Sequence, residues 1–247
     1  MKIITLNTWG GRFKESFEGF LKKSKDIDIF CFQEVYDSAH GKDKFNTLNN
    51  NFDLLEDIKS ILDGYDFIYN PHLGDWWGLA IFYKKNLSIK ENGEEFVHKE
   101  KGYNIEKEKI GHTAKNIQYA VFNDGNKDIV IINFHGLWNG QGKDDTEDRL
   151  RQSENIVNFI KDLKDPYVLC GDFNLLPETK SLKMIEEKLD AKNLIKEYGV
   201  TSTRTSFYNK EIRYADYVFL SKDLKILDFK VLPDEVSDHS PLYLEIK

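Results

Sequence analysis

The feature that most constrains this chain is a succession of short runs rich in β-branched, aliphatic and aromatic side chains. They occupy residues 2–7, 28–35, 66–69, 79–84, 117–122, 128–135, 167–171, 213–220, 224–232 and 242–246. Their lengths and their Gly, Asn and Asp boundaries fit β-strands. Several are apolar at successive positions, as in IVIINF (129–134) and YVLC (167–170). A strand of that kind has to be covered on both faces. Between the runs, residues 146–164 place Ile156, Phe159, Ile160 and Leu163 at i, i+3, i+4 and i+7, which gathers them on one helical face. Asp144, Asp145 and Glu147 suit the positive N-terminal end of that helix. Residues 13–25 repeat the pattern with Phe17, Phe20 and Leu21, and 45–62 and 181–189 are predicted as further helices. The expectation is an α/β (α+β) chain with sheets packed together and helices outside. No Pro/Ser-rich linker, composition break or short repeat divides it, so one domain spanning residues 1–247 is expected.

Charge narrows the partners. Lys and Arg number 35 against 42 Asp and Glu, a net charge of −7. Binding along the backbone of a nucleic acid rests on Lys and Arg neutralising phosphates, so a whole-surface nucleic-acid or anionic-membrane binder is disfavoured. A local phosphate site stays open, because a bound cation reverses the local sign. Cys31 and Cys170 each sit inside an apolar run and read as buried, unreactive thiols rather than a disulfide framework. The start, MKIITLNTWGG, reaches Asn, Thr and Gly too early for a signal-peptide apolar region, and no stretch approaches a membrane span. A cytoplasmic monomer with no membrane partner is expected. The most polar stretch, 91–115, carries His98, Lys99, Lys101, Lys107, Lys109, His112 and Lys115 among glutamates. It reads as a solvated hairpin or surface loop, with a phosphate-guiding rim as the functional alternative.

Acid, amide and imidazole groups recur at the ends of the predicted strands. Asn7 closes KIITLN, Gln33 and Glu34 close DIFCFQE, and His135 closes IVIINFH. Asp172 and Asn174 follow YVLCG, Asp216 lies in RYADYVF, and Asp238 and His239 precede the last strand. Any one of these residues fits a turn or cap. The whole set does not, because unpaired buried charge is very unfavourable. Carboxylate and amide oxygens suit a hard cation such as magnesium or manganese, and no Cys/His spacing suggests zinc. With neither a Gly-rich phosphate loop nor a Gly-x-Ser-x-Gly elbow, the pattern points to metal-assisted hydrolysis with water as nucleophile.

The ordered set LNTW, FQEV, GLAIFYK, NFHG, GDFNLLP, YADYVF and SDHSP, running from Asn7 to His239, resembles the endonuclease/exonuclease/phosphatase superfamily of magnesium-dependent phosphoesterases. The resemblance implies a four-layer α/β sandwich, two face-to-face mixed sheets with helices outside and the site at one end. It implies Glu34 as the main metal ligand, Asn7 beside that metal and Asp238 as a further acid in its neighbourhood. Asp172 matches the residue that orients or deprotonates the attacking water, and Asn174 the Asn that positions nucleophile or phosphate. His239 matches the histidine that contacts the phosphoryl group as general acid or charge stabiliser, with Asp216 orienting it. His135 matches a histidine that hydrogen-bonds the phosphate. The implied cofactor is magnesium, with manganese as a substitute.

Within the superfamily the motifs look closer to deadenylase-like and bacterial members. Abasic-site endonucleases place a Tyr at the position of His135, and inositol polyphosphate 5-phosphatases a Trp-Cys-Asp-Arg motif where this chain has RYADY. The loop 135–146 is expected to set specificity. Trp138 in it fits stacking on a base or sugar, or plain surface packing, and Trp76 and Trp77 divide between rim and core. Lys143 and Arg149 are candidate phosphate contacts. The reading is a metal-dependent phosphodiesterase, with a nuclease on short or single-stranded nucleic acid as its fitting instance. A small-molecule phosphomonoesterase competes with it, and a non-catalytic phosphate-binding scaffold is the alternative from outside the enzymes.

Overall fold

The computed structural model describes residues 1–41, 49–103, 113–123, 125 and 127–247. Its strands are β1 (Lys2–Asn7), β2 (Ile29–Tyr36), β3 (Tyr65–Leu73), β4 (Trp77–Lys84), β5 (Ser88–His98), β6 (Lys115–Asn123), β7 (Asp128–His135), β8 (Tyr167–Asp172), β9 (Lys192–Asn193), β10 (Asp216–Leu220), β11 (Ile226–Val231) and β12 (Leu242–Ile246). The helices are α1 (Lys14–Lys23), α2 (Leu54–Ile61), α3 (Glu147–Lys161), α4 (Lys180–Leu189) and the single turn α5 (Leu194–Glu197). The strands form two six-stranded mixed sheets, ordered β11-β12-β1-β2-β4-β3 and β5-β6-β7-β8-β10-β9.

The apolar runs explain the layering. Successive side chains of a strand point to opposite faces. In β1 and β2, Ile3, Ile29 and Cys31 pack into the core shared with the second sheet. Their neighbours Ile4, Leu6, Phe30 and Phe32 pack with Phe17, Phe20, Leu21 and Ile58 of α1 and α2. On the far side, Ile156, Val157 and Ile160 of α3 and Leu182 and Ile185 of α4 cover the second sheet. The central strands of each sheet are thus buried on both faces, and each fully buried side chain of this size contributes about 1.5–3 kcal/mol. Cys31 and Cys170 are free thiols in this core.

A chain of amides crosses the seam between the sheets. Gln33 Nε2 donates to Asn133 Oδ1 at 2.7 Å, Asn133 Nδ2 to Gln118 Oε1 at 3.1 Å, and Gln118 Nε2 to Asn70 Oδ1 at 2.7 Å. Buried amides hydrogen-bonded in series hold the sheets in one relative position, because a slip would leave them unpaired.

Topology then decides where the polar strand ends meet. β1 and β2 are parallel, as are β7 and β8, so each pair ends at the same edge of its sheet. The antiparallel neighbours β4, β6, β10 and β12 begin where these strands end. Asp172 stands in register with His135 on one side and Asp216 on the other.

Of three sequence expectations, one is met and two need revision. The stretch 91–115 holds most of β5, an edge strand that pairs antiparallel with β6, as the expected hairpin does; Lys107, Lys109 and His112 lie outside the described residues. The helix expected over 45–62 is described from Leu54, and residues 45–48 lie outside the described part. Asp145 serves α4 rather than α3, accepting from the Lys180 and Ser181 amides at 2.7 and 3.0 Å. Among the described residues, no helix is long and apolar enough to cross a membrane.

Candidate active site

The strand ends at one edge of the sandwich surround a cleft of about 590 Å³. Glu34 reaches it through an irregularity in β2. The register against β4 shifts between Phe32 and Val35, and Glu34 takes the left-handed conformation, φ 59°. A non-glycine residue held there is strained by about 1–3 kcal/mol. The distortion puts Gln33 on the amide chain and Glu34 in the cleft.

Asp172 occupies the centre. Its Oδ1 accepts the backbone N–H of Asn174 at 2.8 Å, an Asx turn that suits the left-handed φ of 54° at Asn174. Its Oδ2 accepts Asn7 Nδ2 at 2.9 Å and lies 3.9 Å from His135 Nε2 and 3.6 Å from His239 Nε2. Asn7 Nδ2 also reaches Glu34 Oε1 at 3.1 Å, while its Oδ1 accepts the Trp9 amide at 2.9 Å. Asn7 therefore bridges two carboxylates from above a fixed backbone anchor. Glycine is required nearby: a Cβ on Gly171, φ 140°, would sit 2.0 Å from the Phe134 carbonyl.

His239 Nδ1 lies 2.8 and 2.9 Å from the two Asp216 oxygens, and Thr203 Oγ1 donates to Asp216 Oδ2 at 2.8 Å. That pairing leaves Nε2 of His239 facing the cleft. Burial presses both partners toward their neutral forms, Asp216 upward and His239 downward. Asp238 Oδ2 accepts Arg204 Nη1 at 2.7 Å, and Asp238 Oδ1 is buried without a hydrogen-bond partner. Glu34 is pushed up to about 7, by burial first and by Asp238 and Asp172 next.

Three carboxylates in electrostatic contact, one with an orphaned oxygen, form a donor set that fits a hard divalent cation. Glu34, Asp238 and the neighbouring Asn7 could hold such an ion. Asp172, Asp216 and His239 also offer ligand atoms within 4.8 Å of one another. Their closeness reflects the imidazole–carboxylate hydrogen bonds, which already engage Asp216.

The structure thus brings together Asn7, Glu34, His135, Asp172, Asn174, Asp216, Asp238 and His239. Trp138, 39% exposed, and Trp77 line the cleft, whereas Trp76 is buried in the core. Arg149 does not line it. Arg149 is 1% exposed and donates to the carbonyls of Leu137, Asp144 and Gly142 at 3.3, 2.6 and 2.7 Å. It holds the loop rather than a phosphate. Lys143 lines the cleft but donates to the Tyr214 carbonyl at 2.8 Å.

Sequence reasoning missed Arg12 and Arg204 and left Lys115 inside a polar stretch. The two arginines stack 4.2 Å over Trp9 and Tyr208 respectively, and all three residues line the cleft. The available signal was positional: Lys115 opens a strand antiparallel to the one that His135 closes.

The Arabidopsis thaliana protein Carbon catabolite repressor protein 4 homolog 6 is 29% identical over 183 residues, 69% of this chain and 22% of that protein, so the chain spans about a fifth of the relative's length. A mannosyl-6-phosphatase from Bacteroides thetaiotaomicron VPI-5482 superposes with a TM-score of 0.75 at 19% identity, covering 100% of this chain and 99% of that one. The human Nocturnin catalytic domain superposes at 0.65 and 19%, covering 100% and 94%. These two likenesses show the shared fold. The model of the Endonuclease/Exonuclease/phosphatase family matches residues 4–239, and the chain belongs to that family.

Proposed function

We propose that the chain is a magnesium-dependent phosphodiesterase, with manganese as a substitute, acting on short or single-stranded nucleic acid by attack of water. The observation that carries this reading is the convergence of Asn7, Asn174, His135 and His239 on the Asp172 carboxylate beside Glu34. Phosphoryl transfer leaves a protein little covalent work, so positioning and charge stabilisation dominate. Asp172, its Oδ1 held by the Asn174 amide, orients the attacking water and accepts its proton on Oδ2. His239, held at Nδ1 by Asp216, presents Nε2 to the phosphoryl oxygens. His135 approaches from the neighbouring parallel strand β7, and Asn174 would sit beside the nucleophile. Each such donor contributes about 3–4 kcal/mol of transition-state stabilisation. When bound, the divalent ion neutralises the phosphoryl group and the leaving oxygen. Glu34 and Asp238, beside Asn7, would hold it.

The diester reading is supported by the charge and shape of the walls. Arg12, Lys115, Lys143, Arg204 and Lys210 line the cleft against Glu34, Asp172 and Asp238, a local balance of 5 − 3 = +2 before any metal. Trp138 and Phe207, each 39% exposed, supply flat apolar faces on the rim. Exposed aromatics of this kind stack on bases regardless of sequence. The phosphomonoesterase reading draws on the fold shared with the Bacteroides mannosyl-6-phosphatase.

Hydrolysis of a bis-aryl and a mono-aryl phosphate with magnesium, manganese and chelator tests the proposal. Diester turnover that stops with chelator and returns with either ion is expected. Turnover of the monoester alone favours the phosphatase. Activity indifferent to chelator refutes the metal role, and an Asp172→Asn variant equal to wild type refutes the assignment of the base.

A further inference from the structure

The chemistry above leaves Lys115 unused. It is 3% exposed, yet it lines the cleft with Glu34, His135 and Asp172. Among the described residues its ammonium has one hydrogen-bond partner, His72 Nε2 at 3.4 Å, and it lies 5.1 Å over the Trp77 ring. It forms no ion pair within 4.0 Å among the described residues. The other buried cations of the cleft are engaged, Lys143 by the Tyr214 carbonyl and Arg204 by Asp238. Buried ammonium groups ordinarily have an anionic partner.

The distances place Lys115 one step from the reacting centre. His135 Nε2 is 3.7 Å from Glu34 and 3.9 Å from Asp172. The His135 ring stands 5.8 Å from His72 and 5.7 Å from Trp77, and Lys115 rests on those two side chains. Glu34 and Asp172 attract the ammonium from beyond ion-pair distance. His72 supplies no counter-charge, because burial and then Lys115 itself keep its imidazole neutral. A neutral imidazole nitrogen accepts one N–H and leaves the ammonium two donors for another anion.

We propose that Lys115, seated on His72 and Trp77, forms an anion subsite that takes a second phosphate of the substrate, adjacent to the scissile one. The inference rests on the phosphodiesterase reading and names its substrate class: chains in which phosphates follow one another, or a dinucleotide bearing a terminal phosphate. A lone aryl diester leaves the subsite empty.

The test compares a dinucleotide with and without a terminal phosphate, at the 5′ or the 3′ end, on wild type, Lys115→Met and Lys115→Arg. Wild type is expected to prefer one phosphorylated form by about tenfold or more in kcat/KM, the scale of one charge-assisted hydrogen bond. Lys115→Met collapses that preference to within about twofold, and Lys115→Arg retains it, since arginine also donates to phosphate. The Lys115→Met melting temperature should not fall, because an unpaired buried charge has been removed. No preference in wild type, or one that survives in Lys115→Met, overturns the subsite. An equal loss on both dinucleotides overturns it too, by placing Lys115 at the scissile phosphate. If wild type cleaves neither dinucleotide, the phosphodiesterase reading fails and calorimetric binding to Asp172→Asn decides the subsite. There a difference in Kd of about tenfold that vanishes with Lys115→Met supports it, and equal Kd values refute it.

Discussion

Replacing Glu34 by Gln should make the metal-free protein more stable and less active, with the stability gain set by pH. Glu34 keeps 24% of its side chain exposed and faces Asp172 and Asp238. Burial and those neighbours raise it from its ordinary 4.5 to about 7 in the folded chain. Below about pH 4.5 folded and unfolded chains both hold the proton. Between there and about 7 the unfolded chain has released it while the folded chain retains it, so raising the pH destabilises the fold. Above about 7 the full penalty applies, about 3 kcal/mol on the scale of 1.36 kcal/mol per tenfold. Gln keeps an oxygen for Asn7 and never ionises. At pH 8 in chelator, Glu34→Gln should therefore melt about 6–12 °C above wild type, using 2–4 °C per kcal/mol for a chain of this size. At pH 5 the gap should shrink to about 2–3 °C, since only about 0.8 kcal/mol of the penalty applies there. Asp216 is also raised by burial and tilts the wild-type profile the same way, so the difference between the proteins is the quantity to read. Millimolar magnesium should close the gap by stabilising wild type alone. Scanning calorimetry from pH 5 to 8, with and without chelator, measures all of this. Equal melting temperatures at pH 8 in chelator would refute the claim that the cleft holds a destabilised carboxylate awaiting a cation.

Asp216→Asn should lower kcat about 10–100-fold with KM little changed, since Asp216 acts on the substrate only through His239; steady-state kinetics on an aryl diester check it. Arg149→Met should leave the buried Leu137 carbonyl and two partly buried ones without their donor and destabilise the protein by about 2–3 kcal/mol, read by urea unfolding. The residual activity of its folded fraction should stay near wild type, the reverse of what a phosphate contact predicts. Lengthening a single-stranded oligonucleotide beyond the cleft should not steepen the salt dependence of binding, because each added phosphate contact would add about 0.7 to the log–log slope. Fluorescence titration in graded salt measures it, and a slope that grows with length would show a basic track outside the cleft.

Much of the fold was legible because the physics is local. β1, β7 and β12 match the sequence expectation residue for residue, as apolar runs whose ends are set by polar residues. β5 was illegible as a strand for the opposite reason. It is an edge strand with Glu91 and Glu95 exposed and Glu94 half-buried against Asn116, so the period that marks a half-buried strand is weak. β9 and α5 are too short for any periodicity to register. The acids and amides of the site were legible through their recurrence at strand ends. The cations were not, because a Lys or Arg in a polar segment reads as solvated until the fold shows what surrounds it. Arg149 and Lys115 make the point in opposite senses: the one expected at the phosphate is locked on carbonyls, and the one expected in solvent is buried in the cleft.

The whole-chain charge and the cleft charge now have separate meanings. The net charge of −7 includes the three acids of the cleft but hides its five lining cations. Subtracting that local +2 leaves −9 on the rest of the molecule, −7 − 2 = −9. An acidic exterior repels a long polyanion except where a recessed, low-dielectric cleft of opposite sign focuses the field. The lining cations concentrate positive charge inside the cleft rather than along the surface, which is the charge pattern expected for a locally recognised phosphate. The number of lining cations also overstates what the cleft offers a phosphate. Among them Lys143 is committed to the Tyr214 carbonyl and Arg204 to Asp238, whereas Lys115 keeps donors for an anion, so the positive charge open to a phosphate is smaller than that number suggests.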